Sequence, residues 1–145
     1  MSGAEPLRGG DTKPFRFPVR VYYEDTDAAG VVYYANYLKY MERARTEWLE
    51  AIGFPLAAFE RNHGIVFVVR RCEIDFLQPA RLNDMLTVTV EIEQRGASRL
   101  VARQEVRRED DVMTTARVTL ACIDAARWRP VRIPEPLANR METAA

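Results

Sequence analysis

The sequence predicts an α+β domain in which an antiparallel sheet wraps around one long central helix. Three observations carry that prediction. One segment, 35–52, holds an apolar stripe at helical spacing. One alternating apolar run precedes it, and four or five follow it. The later runs are separated only by short turns, which makes them antiparallel neighbours rather than strands joined by crossovers. A helix with a wide apolar stripe has to bury it, and the sheet is the only large surface available.

Residues 1–14 contain Gly and Pro without an apolar run, and they read as a flexible tail ahead of a domain over 15–134. In 15–23, Phe15, Phe17, Val19 and Val21 alternate with Arg16, Pro18, Arg20 and Tyr22. That is a strand pattern, and Pro18 within it asks for an edge position or a late start. Residues 24–30 form a loop. In 35–52, Tyr37, Met41, Ala44, Trp48 and Ile52 recur at helical spacing, widened by Leu38 and Leu49. Asn36 is of the N-cap type, Gly53 stands where a C′ residue belongs, and Pro55 blocks continuation. A short second helix over 55–63 follows.

The period then changes to two. Cys72, Ile74 and Phe76 face one way, although Phe67, Val69 and Arg71 alternate poorly. Leu86 to Ile92, Leu100 to Val106 and Ala116 to Cys122 alternate cleanly, with turns at Gln78-Pro79, Asn83-Asp84, Arg95-Gly96-Ala97-Ser98 and Glu109-Asp110-Asp111. A last short strand over 127–133 leads to a Pro-rich exit, and 135–145 reads as a C-terminal tail.

With 145 residues, 48% hydrophobic and 29% charged, the composition fits one soluble globular domain. A formal net charge of zero gives no general attraction to nucleic acid or membrane surfaces. No secretory signal and no apolar run near the ~18 residues of a membrane span is visible, so the expected location is the cytoplasm. The two cysteines, Cys72 and Cys122, suit a reducing compartment and core packing. No CxxC or metal-ligand cluster stands out, and neither metal nor cofactor is expected. Lys13 and Lys39 are the only lysines; the other basic side chains, His63 apart, are arginine. That bias fits genomic codon usage, or phosphate binding by arginine's planar fork.

The chemistry concentrates in one stretch, Tyr22-Tyr23-Glu24-Asp25-Thr26-Asp27-Ala28-Ala29-Gly30. A serine nucleophile is nearly excluded, because the only serines are Ser2 and Ser98 and the only histidine is His63, in a loop-like context. The acidic cluster has three readings: a solvated loop, a metal site, or a catalytic carboxylate. The last draws on position, since an acid stands just before a glycine turn and a helix start, where backbone N–H groups and the helix dipole favour developing negative charge.

The run from Val21 to Tyr33, continuing through Tyr37-Leu38 to Glu42-Arg43-Ala44-Arg45-Thr46-Glu47, resembles the 4-hydroxybenzoyl-CoA thioesterase branch of the hotdog superfamily. So do Phe67-Val68-Val69-Arg70, the stretch Asp75 to Asp84, and Arg95-Gly96-Ala97-Ser98. Together, over about 15–134, they are similar to the acyl-CoA thioesterases associated with the bacterial Tol-Pal cell-envelope system. The resemblance implies a hotdog fold, and hydrolysis of acyl-CoA thioesters to free acid and thiol, with acyl carrier protein as an alternative thiol carrier. It implies dimers, often tetramers, with sites at the dimer interface.

The resemblance places the catalytic aspartate at Asp27 and the oxyanion donor at the backbone N–H of Tyr34. Close relatives often carry histidine at the position of Tyr34, so any side-chain role of that histidine is lost here while the backbone N–H remains. It points Arg95, Gly96, Ser98 and Arg99 toward the CoA or pantetheine arm. Glu42, three residues from a pairing partner in Arg45, is the reserve acid. One carboxylate suffices chemically, because a thioester expels a thiolate whose conjugate acid has a pKa of roughly 8.5 and needs little general-acid help. Asp27 could attack the carbonyl directly or deprotonate a water. The competing expectations are a non-catalytic binder of acyl-CoA or acyl carrier protein, a hotdog dehydratase, which would need a better-placed histidine, and a structural envelope-complex subunit.

Overall fold

A computed structural model describes residues 5–6 and 14–144. Among the described residues, one antiparallel sheet is built from β1 (Glu5–Pro6), β2 (Phe15–Arg20), β3 (Ile65–Phe76), β4 (Met85–Arg95), β5 (Arg99–Arg108), β6 (Asp111–Asp124) and β7 (Arg129–Pro130). The helices are α1 (Tyr34–Ala51), α2 (Leu56–His63) and α3 (Glu135–Ala144). Hairpins join β4 to β5 and β5 to β6, as the short turns require. The sheet order is β4, β5, β6, β3; β1 and β2 both pair with β4, and β7 pairs with the end of β6. No helix in the described residues is long and apolar enough to cross a membrane.

The long helix lies on the concave face of the sheet. Tyr37, Tyr40, Met41, Ala44, Trp48 and Leu49 are buried there, in one cluster with Val88, Val90, Ala102 and Val118. Burying a side chain of this size contributes about 1.5–3 kcal/mol, so the stripe fixes the helix far more firmly than its intrinsic propensity does. The N-cap is Tyr33 rather than Asn36. Asn36 sits inside the first turn, and its Nδ2 donates to the carbonyl of Asp25 at 2.8 Å. Its amide is thus used against the preceding loop instead of the helix's own N–H groups.

Gln104 is fully buried under α1. Its Nε2 donates to the carbonyls of Met41 (3.1 Å) and Thr89 (3.3 Å), and its Oε1 accepts from Arg45 Nη1 at 2.8 Å. Arg45 is therefore committed to Gln104. No ion pair joins it to Glu42, contrary to the spacing on the helix.

Of the three register shifts among the described strands, two set the facing of β3 and of the end of β4. The first falls between Val69 and Arg71 and leaves Arg70 as an extra residue. Phe76, Ile74 and Cys72 stand opposite the buried Thr114, Ala116 and Val118, and beyond the bulge Val69 and Phe67 stand opposite the buried Leu120 and Cys122. All five therefore face the concave side, which explains why the alternation reads poorly there. The second shift, between Ile92 and Gln94, puts Arg95 opposite Leu100, also on the concave side.

The chain does not end in a tail after residue 134. α3 begins at Glu135-Pro136, where proline costs the helix nothing because the first N–H groups are unpaired anyway. Leu137 and Met141 are fully buried in the main core. Arg140 Nε donates to the carbonyl of Ile52 at 3.3 Å, and Arg95 pairs with Glu142. At the other terminus, Glu5–Pro6 pairs with Arg95 and Gln94; the rest of the tail expected over 1–14, save Pro14, lies outside the described residues.

If α3 belongs to the cooperative fold, Leu137→Ala should lower unfolding free energy in urea by about 2–5 kcal/mol. A loss below about 1 kcal/mol would place α3 outside the cooperative unit.

Candidate active site

The acidic stretch divides its carboxylates by burial. Asp25 is buried at the end of a 3-10 turn (Tyr23–Asp25). Its Oδ2 accepts the Tyr22 N–H at 2.9 Å, and its carbonyl accepts both the Tyr33 N–H (2.9 Å) and Asn36 Nδ2 (2.8 Å). Asp25 thus ties the loop to the start of α1. Its carboxylate also lies beside the Tyr40 phenol, whose pKa is pushed well above the ordinary tyrosine range, first by burial and then by Asp25.

Asp27 is exposed and held differently. Its N–H donates to the Val31 carbonyl (2.9 Å), and its own carbonyl accepts the Gly30 N–H (3.0 Å). Gly30 closes this turn at φ +78°, a left-handed conformation that side chains rarely adopt. The Ala29 N–H donates to Asp27 Oδ1 at 2.9 Å. One carboxylate oxygen is therefore anchored by the backbone of its own turn, and none of the hydrogen bonds among the described residues uses Oδ2.

Tyr34 opens α1, so its N–H has no partner within the helix and lies at the positive end of the helix dipole. Asp27 and Tyr34 line one cleft of about 340 Å³ with Val31, Val32 and Tyr37. Phe76, Leu77, Gln78 and Pro79 form its opposite wall. That wall is pinned by Leu77 and Gln78 N–H groups donating to the Met113 carbonyl, by the Val32 N–H donating to the Ala80 carbonyl, and by the Ala80 N–H donating to the Tyr37 hydroxyl. The Phe76 ring stands 5.5 Å from Tyr37 and 6.3 Å from Tyr34. Reading the sequence did not single out this wall as part of the site. Its signal is an exposed Phe-Leu pair where a strand runs into Gln-Pro.

The turn proposed for CoA lies elsewhere in the chain. The start of β4 is bound to the Asp27 region, since the Val21 N–H donates to the Asp84 carbonyl. Arg95 closes the 11-residue strand, roughly 35 Å away at ~3.3 Å per residue. Within the turn the Gly96 N–H donates to the Arg99 carbonyl, and the Ser98 carbonyl accepts the Cys122 N–H. Arg95 points inward to Glu142. Arg99 points outward, into a shallow groove on the convex face with Arg71, Glu73, Gln94 and Arg117. One chain therefore brings Asp27 and Tyr34 together, and does not bring Arg95, Gly96, Ser98 or Arg99 to them.

The remaining candidates are accounted for by packing. His63 ends α2 with its ring 5.7 Å from that of Phe59. Burial raises the thiol of Cys72 and pushes that of Cys122 up to about 11, so both are held as neutral thiols. Burial likewise pulls the Arg45 guanidinium below its ordinary value.

The profile of the Thioesterase-like superfamily matches residues 21–141. Among curated proteins, the chain is 41% identical over 128 residues to the acyl-CoA thioester hydrolase YbgC of Escherichia coli O6:H1, covering 88% of this chain and 95% of that one. It is 40% identical over 121 residues to the acyl-CoA thioesterase YbgC of Haemophilus influenzae, covering 83% and 89%. Among solved structures, a probable thioesterase from Bartonella henselae superposes with a TM-score of 0.79 at 35% identity, over 84% of this chain and all of that one.

The thiol shifts carry a pH consequence. Folded Cys122 keeps a proton that the unfolded chain releases in the ordinary thiol range near 8.5, so its contribution to stability is complete below that range and is lost as pH rises toward about 11. Denaturant titrations between pH 8 and 11 should therefore show a shallower decline for Cys122→Ala than for the parent chain. Identical slopes would mean that Cys122 ionises normally in the fold.

Proposed function

The chain belongs to the Thioesterase-like superfamily, and from that premise we propose that it hydrolyses acyl-CoA thioesters, with Asp27 and the N-terminus of α1 as the reacting groups. The observation that carries this reading is the shared cleft. Asp27, an exposed carboxylate with one anchored oxygen, and Tyr34, the first residue of α1, line the same partly apolar recess. A thioester carbonyl oxygen directed at the Tyr34 N–H gains a donor that strengthens as the oxyanion develops. The carbonyl carbon then lies open to Asp27 Oδ2.

In the nucleophilic route, Oδ2 forms a bond to the carbonyl carbon and the tetrahedral adduct expels the CoA thiolate, leaving a mixed anhydride. Water then hydrolyses the anhydride, returning Asp27 as a carboxylate and releasing the free acid. In the general-base route, Oδ2 takes a proton from the attacking water and the same thiolate departs. Either route runs on one carboxylate, because the thiolate leaves without a proton. Tyr34 acts through its backbone in both.

The proposal includes assembly. Among the described residues, the long strand β3 pairs only with β6 and leaves its other edge open. Antiparallel pairing of β3 with a second copy of β3 would set the Ile65 end of one copy beside the Phe76 end of the other. The turn from Arg95 to Arg99 lies at the Ile65 end, since Ile65 pairs with Asp124 and Arg99 with Ala121 on the same strand β6. A two-fold dimer would thereby carry Arg95, Gly96, Ser98 and Arg99 of one copy toward the cleft of the other, where arginine can meet CoA phosphates. The reading extends to dimers or tetramers working in the cytoplasm in association with the Tol-Pal system. Acyl carrier protein is kept as the alternative thiol carrier. These points rest on the resemblance of the quoted motifs.

Asp27→Asn should lower kcat by at least ~100-fold while acyl-CoA still binds, measured by thiol release and by equilibrium binding of the substrate. Near-parental turnover would remove Asp27 from the mechanism, and a parent chain silent on every acyl-CoA would turn the reading toward a binding module. Arg99→Ala should raise KM for acyl-CoA by roughly 3–10-fold with kcat nearly intact, and should lose that effect on acyl-pantetheine, which lacks the nucleotide phosphates. An equal KM increase on both substrates would take Arg99 away from the phosphates.

A further inference from the structure

The wall that faces Asp27 and Tyr34 across their cleft, Phe76 to Pro79, has no step in the mechanism above. Gln78 carries its one hydrogen-bonding side chain, since Phe76, Leu77 and Pro79 are apolar. The backbone of Gln78 is anchored on both sides. Its N–H donates to the Met113 carbonyl at 3.0 Å. Two residues on, the Ala80 N–H donates to the Tyr37 hydroxyl, and the Ala80 carbonyl accepts the Val32 N–H. Pro79 further restricts residue 78 to extended backbone. Gln78 is exposed, and none of the hydrogen bonds among the described residues uses its carboxamide. A fixed stem therefore presents a free amide to the cleft.

A developing oxyanion has lone pairs for more than one donor, and the mechanism above gives it only the Tyr34 N–H. On the facing wall the backbone has little to add. The N–H groups of Leu77 and Gln78 are spent on the Met113 carbonyl, and Pro79 has none. Ala35, the second residue of α1, does not line the cleft. The Tyr37 hydroxyl is occupied by the Ala80 N–H in a buried place. The Tyr34 hydroxyl stands farther from its own backbone nitrogen than two hydrogen bonds of ~2.9 Å can span, so the two cannot share one oxygen. The Gln78 amide has neither limit, and it comes from the opposite wall.

We propose that Gln78 is a catalytic residue, its Nε2 and the Tyr34 N–H holding the thioester carbonyl oxygen from opposite walls as that oxygen gains charge. The proposal rests on the reading of the Asp27 cleft as the thioester site. A donor aimed at a developing charge gains most when the charge is complete, so Gln78 contributes to kcat rather than to affinity. A neutral amide also suits a place beside Asp27. An arginine or lysine there would pair with the carboxylate and blunt it.

The test compares the parent chain with Gln78→Met, which keeps the length and loses the donor, and Gln78→Glu, which puts an acceptor in its place. Thiol release from an acyl-CoA should show kcat lowered by about 10- to 100-fold in both, with KM for Gln78→Met within about threefold of the parent. Equilibrium binding of an S-alkyl-CoA thioether, which lacks the carbonyl, should be equal for the parent and Gln78→Met. Parental kcat in Gln78→Met, with Asp27→Asn inactive, would overturn the assignment and leave the thioesterase reading intact. A raised KM at parental kcat, or weakened thioether binding, would overturn it too and give Gln78 to recognition of the CoA arm. Gln78→Glu turning over faster than Gln78→Met would show that an acceptor serves, which also overturns it. Should circular dichroism melts show Gln78→Met unfolded, Gln78→Ala takes its place in every comparison. A parent chain that releases no thiol from any acyl-CoA would defeat both readings.

Discussion

The arrangement of the candidate site depends on Asp25, whose carboxylate and carbonyl are both turned to the surrounding backbone and Asn36. Its buried carboxylate closes on the Tyr22 N–H, and its carbonyl gathers the Tyr33 N–H and the Asn36 amide. One residue thereby fixes where the first strand ends and where α1 begins. Two residues later the chain must turn, and Asp27 occupies that turn with one oxygen already satisfied. The distance between a carboxylate and a helix N-terminus is thus set by a neighbour that neither of them touches through its side chain. An alanine at position 25 would strip the Tyr22 N–H of its acceptor, and the cost would fall on the geometry of the cleft as well as on stability.

The same economy governs the division of labour among ionisable groups. A fold with its thiols held neutral by burial and its one histidine at the end of α2 leaves Asp27, an exposed acid, in the same cleft as the first residue of α1. Thioester chemistry is compatible with that sparseness, because the leaving group departs unprotonated. Phe76, Tyr34 and Tyr37 give the cleft an aromatic wall beside that acid.

The fold was largely legible because its signals are local. The stripe through Tyr37, Met41, Ala44 and Trp48, and the alternation in β4, β5 and β6, each follow from a period that a window of ten residues displays. The nearness of Asp27 to Tyr34 was legible for a related reason: they stand seven positions apart, so a turn and a helix start suffice to bring them to one cleft. The bulges at Arg70 and between Ile92 and Gln94 were not legible, since an extra residue in a strand is defined only by its partner strand. The second of these sends Arg95 inward to Glu142 while Arg99 stays outside, so a turn that reads as one cationic clamp serves two faces. α3 was hidden by its Pro-rich approach, and its contribution rests on Leu137 and Met141 meeting a core built some eighty residues earlier. The Phe76–Pro79 wall was quoted as part of a motif without a role, because its meaning lies in what α1 places opposite it.

Gln104 bears on how the chain finds this structure. Its amide satisfies Met41 and Thr89 carbonyls and receives Arg45, so two elements, α1 and β4, agree on a single residue of β5. Slipping β5 by one residue in either direction would turn Arg103 or Glu105 under the helix and expose the neighbouring Ala102 or Val106 to water. It would also leave the Arg45 guanidinium without its acceptor in a half-buried place. A leucine at position 104 would fill the space while tolerating misregistered sheets far better. The buried amide therefore selects one alignment of the sheet among several that would bury similar apolar area, which is a contribution to uniqueness rather than to strength.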